Sequence, residues 1–170
     1  MSLEAFLAAV TPRVGPFRAG CVLLQVGCGS SEWGARLAAA GVAVLDSDVD
    51  THLLARLRAG NTAAASLSFA ALDAGRLGLR PGFADVVLDK GTVDAIASAA
   101  DGPQRTADVA VAAMRALRSG GALLIVSARP EQRLEAMRAC ARKDTAEALA
   151  MAEVATLNEA GAGVLIVRKA

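Results

Sequence analysis

Apolar residues along this chain come in short unbroken runs, separated by longer stretches in which alanine, leucine and arginine recur every three or four positions. Unbroken apolar runs mark strands buried on both faces, and the three-to-four period marks helices crossing between them. The runs predict strands over Cys21–Val26, Val42–Asp48, Ser66–Leu72, Ala84–Asp89 and "ALLIVSA" from Ala122. Helices are predicted over Leu3–Val10, closed by Pro12, over Ser31–Ala40, stopped by Gly41, and over Asp50–Ala59, ended by Gly60. "PQRTADVAVAAMRALRSGG" reads as a helix ended by Gly120 and Gly121, and Pro130 opens another that reaches Arg142. Near the end, "EALAMAEVATL" could begin as helix, but "MAEVATL" and "GVLIVRK" read best as a hairpin around Asn-Glu-Ala-Gly.

Strands alternating with helices predict an α/β domain: Rossmann-like and doubly wound, with a mostly parallel sheet and an antiparallel C-terminal hairpin strand. The 170 residues suit a single domain, residues 1–170, with residues 1–20 as a short helical N-terminal segment.

Composition narrows the partners. An apolar fraction of 54% supplies a core, and 3% aromatic content means that core is aliphatic. A formal charge of +1 with no basic block leaves nucleic acid without an electrostatic footprint. Cys21, Cys28 and Cys140 are odd in number and form no C-x-x-C pair, which suits free thiols in a reducing compartment. One histidine, His52, gives little support to a zinc site or a His-dependent triad and reads as a solvated helix residue. No apolar run reaches the roughly 20 residues that span a bilayer, and no secretory signal opens the chain, so a soluble, cytoplasmic protein is expected.

Candidate chemistry sits where strands end, because ligands of open α/β sheets lie beyond the carboxyl ends of the strands. Here those ends read "VGCGS", "LDSD", "LDA", "LDKG" and "VSA". Gly27 and Gly29 let backbone approach a ligand where a Cβ would collide. Asp46, about twenty residues on, is spaced to accept hydrogen bonds from two ribose hydroxyls. Asp73 could accept the exocyclic amine of adenine. Plain turn glycines and helix-capping carboxylates are the alternatives. In "GCGSSEWG", Glu32 stands where a dinucleotide fingerprint wants its third small residue, which disfavours NAD or FAD and leaves S-adenosylmethionine, which has no pyrophosphate.

"VLDKGTVDAI", Val87 to Ile96, together with "VGCGSS", resembles the class I, seven-strand S-adenosylmethionine-dependent methyltransferases of the subfamily that modifies lysines of elongation factor 1A and of citrate synthase. Its pattern D-K-G-T-x-D-A stands here as Asp89 to Ala95, and the similarity runs from Val22 to Lys169. The resemblance implies that Gly27, Cys28 and Gly29 approach the methionine part of the cofactor, that Asp46 and Ser47 take the ribose, and that Asp73 and Ala74 take the adenine. It further implies that Asp89 and Lys90 line the cofactor edge nearest the methyl group, that Thr92 and Asp94 begin the next helix, and that the acceptor is a protein lysine. Such a lysine must arrive neutral, and Asp89 is a candidate neighbour of its amine. No Asn/Asp-Pro-Pro-Tyr/Phe sequence follows the fourth strand, which argues against the branch that methylates base amines. Members of the subfamily carry an aromatic-rich closing stretch before the first strand; residues 1–20 offer only Phe6 and Phe17.

Overall fold

The chain, described by a computed structural model over residues 2–61, 65–157 and 162–170 with the Asp144 side chain aside, forms one seven-stranded sheet between two helical layers. The strands are β1 (Val22–Val26), β2 (Ala43–Asp48), β3 (Leu67–Ala71), β4 (Ala84–Lys90), β5 (Leu117–Ser127), β6 (Glu153–Thr156) and β7 (Gly163–Arg168). Their order is β3-β2-β1-β4-β5-β7-β6; the first five run parallel, and β7 is antiparallel to both its neighbours. The doubly wound, mostly parallel architecture is the one the apolar runs predict. The Asn-Glu-Ala-Gly turn expected between the last two strands lies outside the described residues.

Eight-residue or longer helices are α1 (Leu3–Val14), α3 (Thr51–Gly60), α5 (Gly102–Ala116), α6 (Pro130–Ala139) and α7 (Lys143–Ala150); α2 (Trp33–Ala39) and α4 (Thr92–Ile96) are shorter. Adjacent residues of a strand face opposite layers, so Leu23 and Leu24, both fully buried, belong to different clusters. Leu23 packs with Phe6, Val10, Trp33 and Leu37 of α1 and α2; Leu24 packs with Ala113, Met137 and Leu149 of α5, α6 and α7. Burial on both faces is why these strands carry no polar alternation.

Several boundaries differ from the sequence expectation, among them that of α6, which ends at Ala139 and not at Arg142. Pro12 does not close the first helix, which runs on to Val14 and stops at Gly15, where φ is 85° and the amide bonds the Thr11 carbonyl. Gly120 and Gly121 do not end α5. They sit inside β5, where the register jumps from Ala84 opposite Leu117 to Val86 opposite Ala122. The extra residues bulge out of the ladder, Gly120 takes φ 74°, and a Cβ on Gly121 would stand 2.8 Å from the Asp85 carbonyl oxygen.

One contact sets how closely α2 lies on the sheet. A Cβ on Gly34 would stand 2.2 Å from Asp46 Oδ2, so this helix position tolerates no side chain while Asp46 lies beneath it. Gly34→Ala is expected to destabilise the fold by about 1–3 kcal/mol. In the double variant Gly34→Ala/Asp46→Ala the cost should shrink well below that of the single change, measured as a coupling energy by chemical denaturation.

Candidate functional site

The sheet changes winding direction between β1 and β4, and a cavity of about 520 Å³ opens at the carboxyl ends of the strands there. Its floor is the loop Gly27-Cys28-Gly29, with φ 56° at Gly27 and 52° at Gly29. A Cβ on Gly27 would fall 2.0 Å from Thr92 Oγ1, which donates to either the Val26 or the Gly27 carbonyl, both at 3.2 Å. The loop is thereby pinned to the start of α4, and the space above Gly29 stays open. Cys28 donates its N–H to the Ser47 carbonyl at 2.8 Å. Burial first, then the carboxylates of Asp46 and Asp48, push the Cys28 thiol up to about 12, so it stays protonated and is no nucleophile.

Strand register decides which residues reach the cavity. Val26 pairs with Ser47 on one side and Asp89 on the other, and Gln25 pairs with Asp46 and Leu88. Those two rows are interior. The next row out is Asp48, Gly27 and Lys90, and all three line the cavity. Asp48 accepts the Gly29 N–H on Oδ2 at 2.9 Å and the Asp50 N–H on Oδ1 at 3.0 Å. Each oxygen keeps lone-pair capacity for a further donor.

Gly27, Cys28, Gly29, Asp73, Ala74 and Lys90 are thus brought together around one cavity, with Ser30, Ser31, Gly91 and Thr92. Asp46, Ser47 and Asp89 are not. Asp46 is 2% exposed and lies under α2 against Gly34, so the ribose-facing position expected of it falls to Asp48. Ser47 is buried and donates its hydroxyl to the Gln25 carbonyl at 2.9 Å. Asp89 is 0% exposed and accepts the Val93 N–H at 3.1 Å, capping the first turn after the strand instead of facing a ligand. The register with β1 causes both corrections: each carboxylate stands at or before the row of Val26, inside the sheet.

Lys90 reaches the cavity with its Nζ 5.6 Å from the centroid of the Trp33 ring, a cation–π geometry. Trp33 in turn packs on Phe6, ring centroids 4.9 Å apart, and Phe6 on Phe17 at 6.1 Å. The N-terminal aromatics therefore hold the core behind Lys90 and do not cover the cavity. Asp94 fixes the far side: it accepts Ser127 Oγ at 2.6 Å, the Ala128 N–H at 3.0 Å and Arg133 Nε at 2.8 Å. Burial opposes ionisation of Asp94, yet these three bonds outweigh it and leave its carboxyl below the ordinary range.

Residues that the sequence reading passed over are Asp48, Val49, Arg105 and Trp33. Val49 is 71% exposed at the cavity, with Leu72 and Ile96 as further apolar wall. "DSD" held the signal: two carboxylates two residues apart share a strand face, and only the outer one clears the covering helix. His52 is exposed on α3, and no His/Cys/Asp/Glu cluster suited to a metal occurs among the described residues. No helix among them is long and apolar enough to cross a membrane.

Comparison with known proteins agrees with the fold. The model of a family described as a methyltransferase domain matches residues 24–125. No curated protein matches. Among solved structures, a TehB-like S-adenosylmethionine-dependent methyltransferase from Corynebacterium glutamicum superposes with TM-score 0.65 at 19% identity, covering 98% of this chain and 87% of that one. A methyltransferase from Haloferax volcanii, solved with the activator Trm112, superposes with TM-score 0.67 at 15% identity, covering 94% and 87%. Phosphoethanolamine N-methyltransferase 1 of Haemonchus contortus, solved with S-adenosylhomocysteine, gives TM-score 0.61 at 17% identity, covering 74% of this chain. This chain spans 25% of that enzyme's length and about half of two further matched structures.

Burial raises Asp46 and Asp89 from 3.8 to about 7, in Asp89 against the Val93 N–H bond that favours the charge. The folded chain then keeps protons that the unfolded chain has released. The stability these groups contribute is full below about pH 4 and is lost as pH rises through about 7. Denaturation free energies should therefore fall between about pH 4 and pH 7, and Asp46→Asn should flatten part of that slope. A slope unchanged in the variant would show that Asp46 does not titrate in this window.

Proposed function

The chain belongs to the methyltransferase-domain family, whose class I members share its fold and take S-adenosylmethionine as cofactor, and we propose that it transfers the methyl group to the amine of a protein lysine. The observation that carries this reading is the row Asp48, Gly27, Lys90 bordering the 520 Å³ cavity at the winding switch. A cavity of that size lies in the usual range for small-ligand sites. Its donor set suits a nucleoside with a charged tail. Asp48 offers carboxylate lone pairs to ribose hydroxyls. Val49, Leu72 and Ile96 offer apolar faces to a flat base, and Asp73 an acceptor for its amine. Bare backbone at Gly29 leaves room for the methionine end.

When bound, the cofactor supplies a sulfonium methyl open to in-line displacement. What the chain adds is positioning and electrostatics. The Thr92 bond to the loop carbonyls and the Asp48 bond to the Gly29 amide fix the floor before any ligand arrives. Lys90 places a positive charge at the edge of the site. A like charge disfavours protonation of an approaching amine, so Lys90 favours the neutral form that can attack. Asp89, enclosed in the sheet, is a positioning residue for the Gly91–Val93 turn and not a base.

Two features support a macromolecular acceptor. The D-K-G-T-x-D-A sequence stands over Asp89 to Ala95. The acceptor side is also uncovered among the described residues: α1 is spent on the core, and α6 follows β5 after two residues, which leaves no room there for a long insertion. A protein acceptor would bring its own covering surface.

Calorimetry with S-adenosylmethionine and S-adenosylhomocysteine should show binding of both, weakened at least about tenfold by Asp48→Ala, or about 1.4 kcal/mol. Arg36→Ala, on a side chain that pairs with Glu4 and does not line the cavity, should bind as the parent does. Absence of binding at millimolar cofactor would overturn the reading. Incubation with labelled S-adenosylmethionine and cell lysate should label a protein band at lysine; label confined to small molecules would reject the lysine acceptor and keep the methyltransferase.

A further inference from the structure

Two large apolar side chains stand exposed among the described residues, Val49 at 71% and Met151 at 79%. Val49 has a place in the cofactor cavity. Met151 lines a separate groove of about 740 Å³, walled by Val111 and Met114 of α5 and by Ala148 of α7. The groove lies at the opposite edge of the sheet. Lys169, just past β7, donates its Nζ to the Leu117 carbonyl at the start of β5, 2.6 Å away, whereas the cofactor cavity opens where the parallel strands end.

Its rim is cationic. Arg115, Arg142, Arg168 and Lys169 border it, with Glu147 as the single carboxylate side chain among the described residues, on a chain whose formal net charge is only +1. None of these four cations makes an ion pair among the described residues, although Arg13, Arg36, Arg118 and Arg133 elsewhere do. Among the described residues four cations to one carboxylate side chain therefore surround an aliphatic and methionine floor. The cations come from the end of α5, the start of α7 and the end of β7, which is why no basic run shows in the sequence.

We infer that this groove docks an acidic, amphipathic helical segment of a partner protein, with aliphatic side chains against Met151, Met114 and Val111 and carboxylates against the arginine rim. Charge complementarity selects an acidic occupant. The apolar floor selects one with aliphatic side chains spaced along a helix face, and methionine adapts readily to such side chains. Nucleic acid fits less well, since no aromatic side chain lines the groove to stack a base. Docking here leaves the cofactor mouth free. The inference does not rest on methyl transfer.

The test uses the full chain and a fluorescein-labelled helical peptide with leucines at i, i+3, i+4 and i+7 and glutamates between them. Fluorescence anisotropy should show saturable binding that weakens about tenfold in Met151→Glu and in Arg168→Glu, since a buried apolar anchor and its charged rim act together. Thermal unfolding and cofactor affinity should stay at parental values, because both side chains are exposed. A leucine-free polyglutamate peptide should bind more weakly than the amphipathic probe. No binding of the probe, equal binding to both variants, or tighter binding of an oligothymidylate than of the peptide would each overturn the inference.

Discussion

The register between β1 and its two neighbours is the constraint on which the site depends. Hydrogen bonding locks Val26 opposite Ser47 and Asp89, and this places the first residues beyond that row, Asp48, Gly27 and Lys90, together at the rim. A slip of one residue would turn every side chain of a strand to the other layer, exposing Leu23 or Leu24 to the wrong cluster. Core packing therefore fixes the chemistry: the same burial that holds Leu24 between helices decides that Asp48 meets solvent and Asp46 does not.

Around that register the chain spends several buried polar groups. Gln25, Asp46 and Asp89 are almost wholly enclosed, and the Gln25 amide, one oxygen of Asp46 and one of Asp89 have no hydrogen-bond partner. Unsatisfied buried polar atoms cost about 1–3 kcal/mol each, and a carboxyl lowers that cost by keeping its proton, as the raised values of Asp46 and Asp89 express. Asp89 recovers part through the Val93 amide. Asp46 has no such bond and instead excludes a side chain from Gly34, drawing α2 close to the sheet. The aromatic stack of Phe6 and Trp33 then fills the layer behind Lys90. Stability and site geometry are thus coupled on this face.

The fold was legible because period and composition agree along most of the chain. Unbroken apolar runs named the five parallel strands, and glycine punctuation named the C-terminal ends of α2 and α3. It failed at Gly120 and Gly121 because a glycine pair that would end a helix also relaxes a strand bulge, and only the spacing against β4 separates the two. At the site, Gly27, Cys28, Gly29, Asp73, Ala74 and Lys90 could be read from strand ends and from the D-K-G-T-x-D-A sequence. Asp46 was read in place of Asp48 because spacing from the glycines cannot resolve two residues on one strand face. That choice needs the register, a pairing between segments distant in sequence, and so does the burial of Asp89. Val49 and Arg105 carry no local pattern at all; the helices and strands that bring them to the cavity are joined only in the folded chain.

The two edges of the sheet carry different kinds of surface, and the topology explains the division. Parallel strands end together, so their loops pool backbone amides, small residues and carboxylates at one rim, where a small polar ligand can be gripped from several segments at once. The opposite rim collects helix ends and the last antiparallel strand. There α5 ends with Arg115 in its last turn, α7 begins beside Arg142, and Met151 stands exposed where α7 ends. Cations at helix C-termini, such as Arg115, are favoured by the helix dipole, by about 0.3–1 kcal/mol when exposed. That local preference accounts for Arg115 alone. Arg142 stands before the first turn of α7, where the dipole disfavours a cation, and Arg168 and Lys169 lie on no helix. Helix electrostatics does not gather around an apolar groove four cations that make no ion pair among the described residues, so the cationic rim asks for a reason outside the fold's own stability.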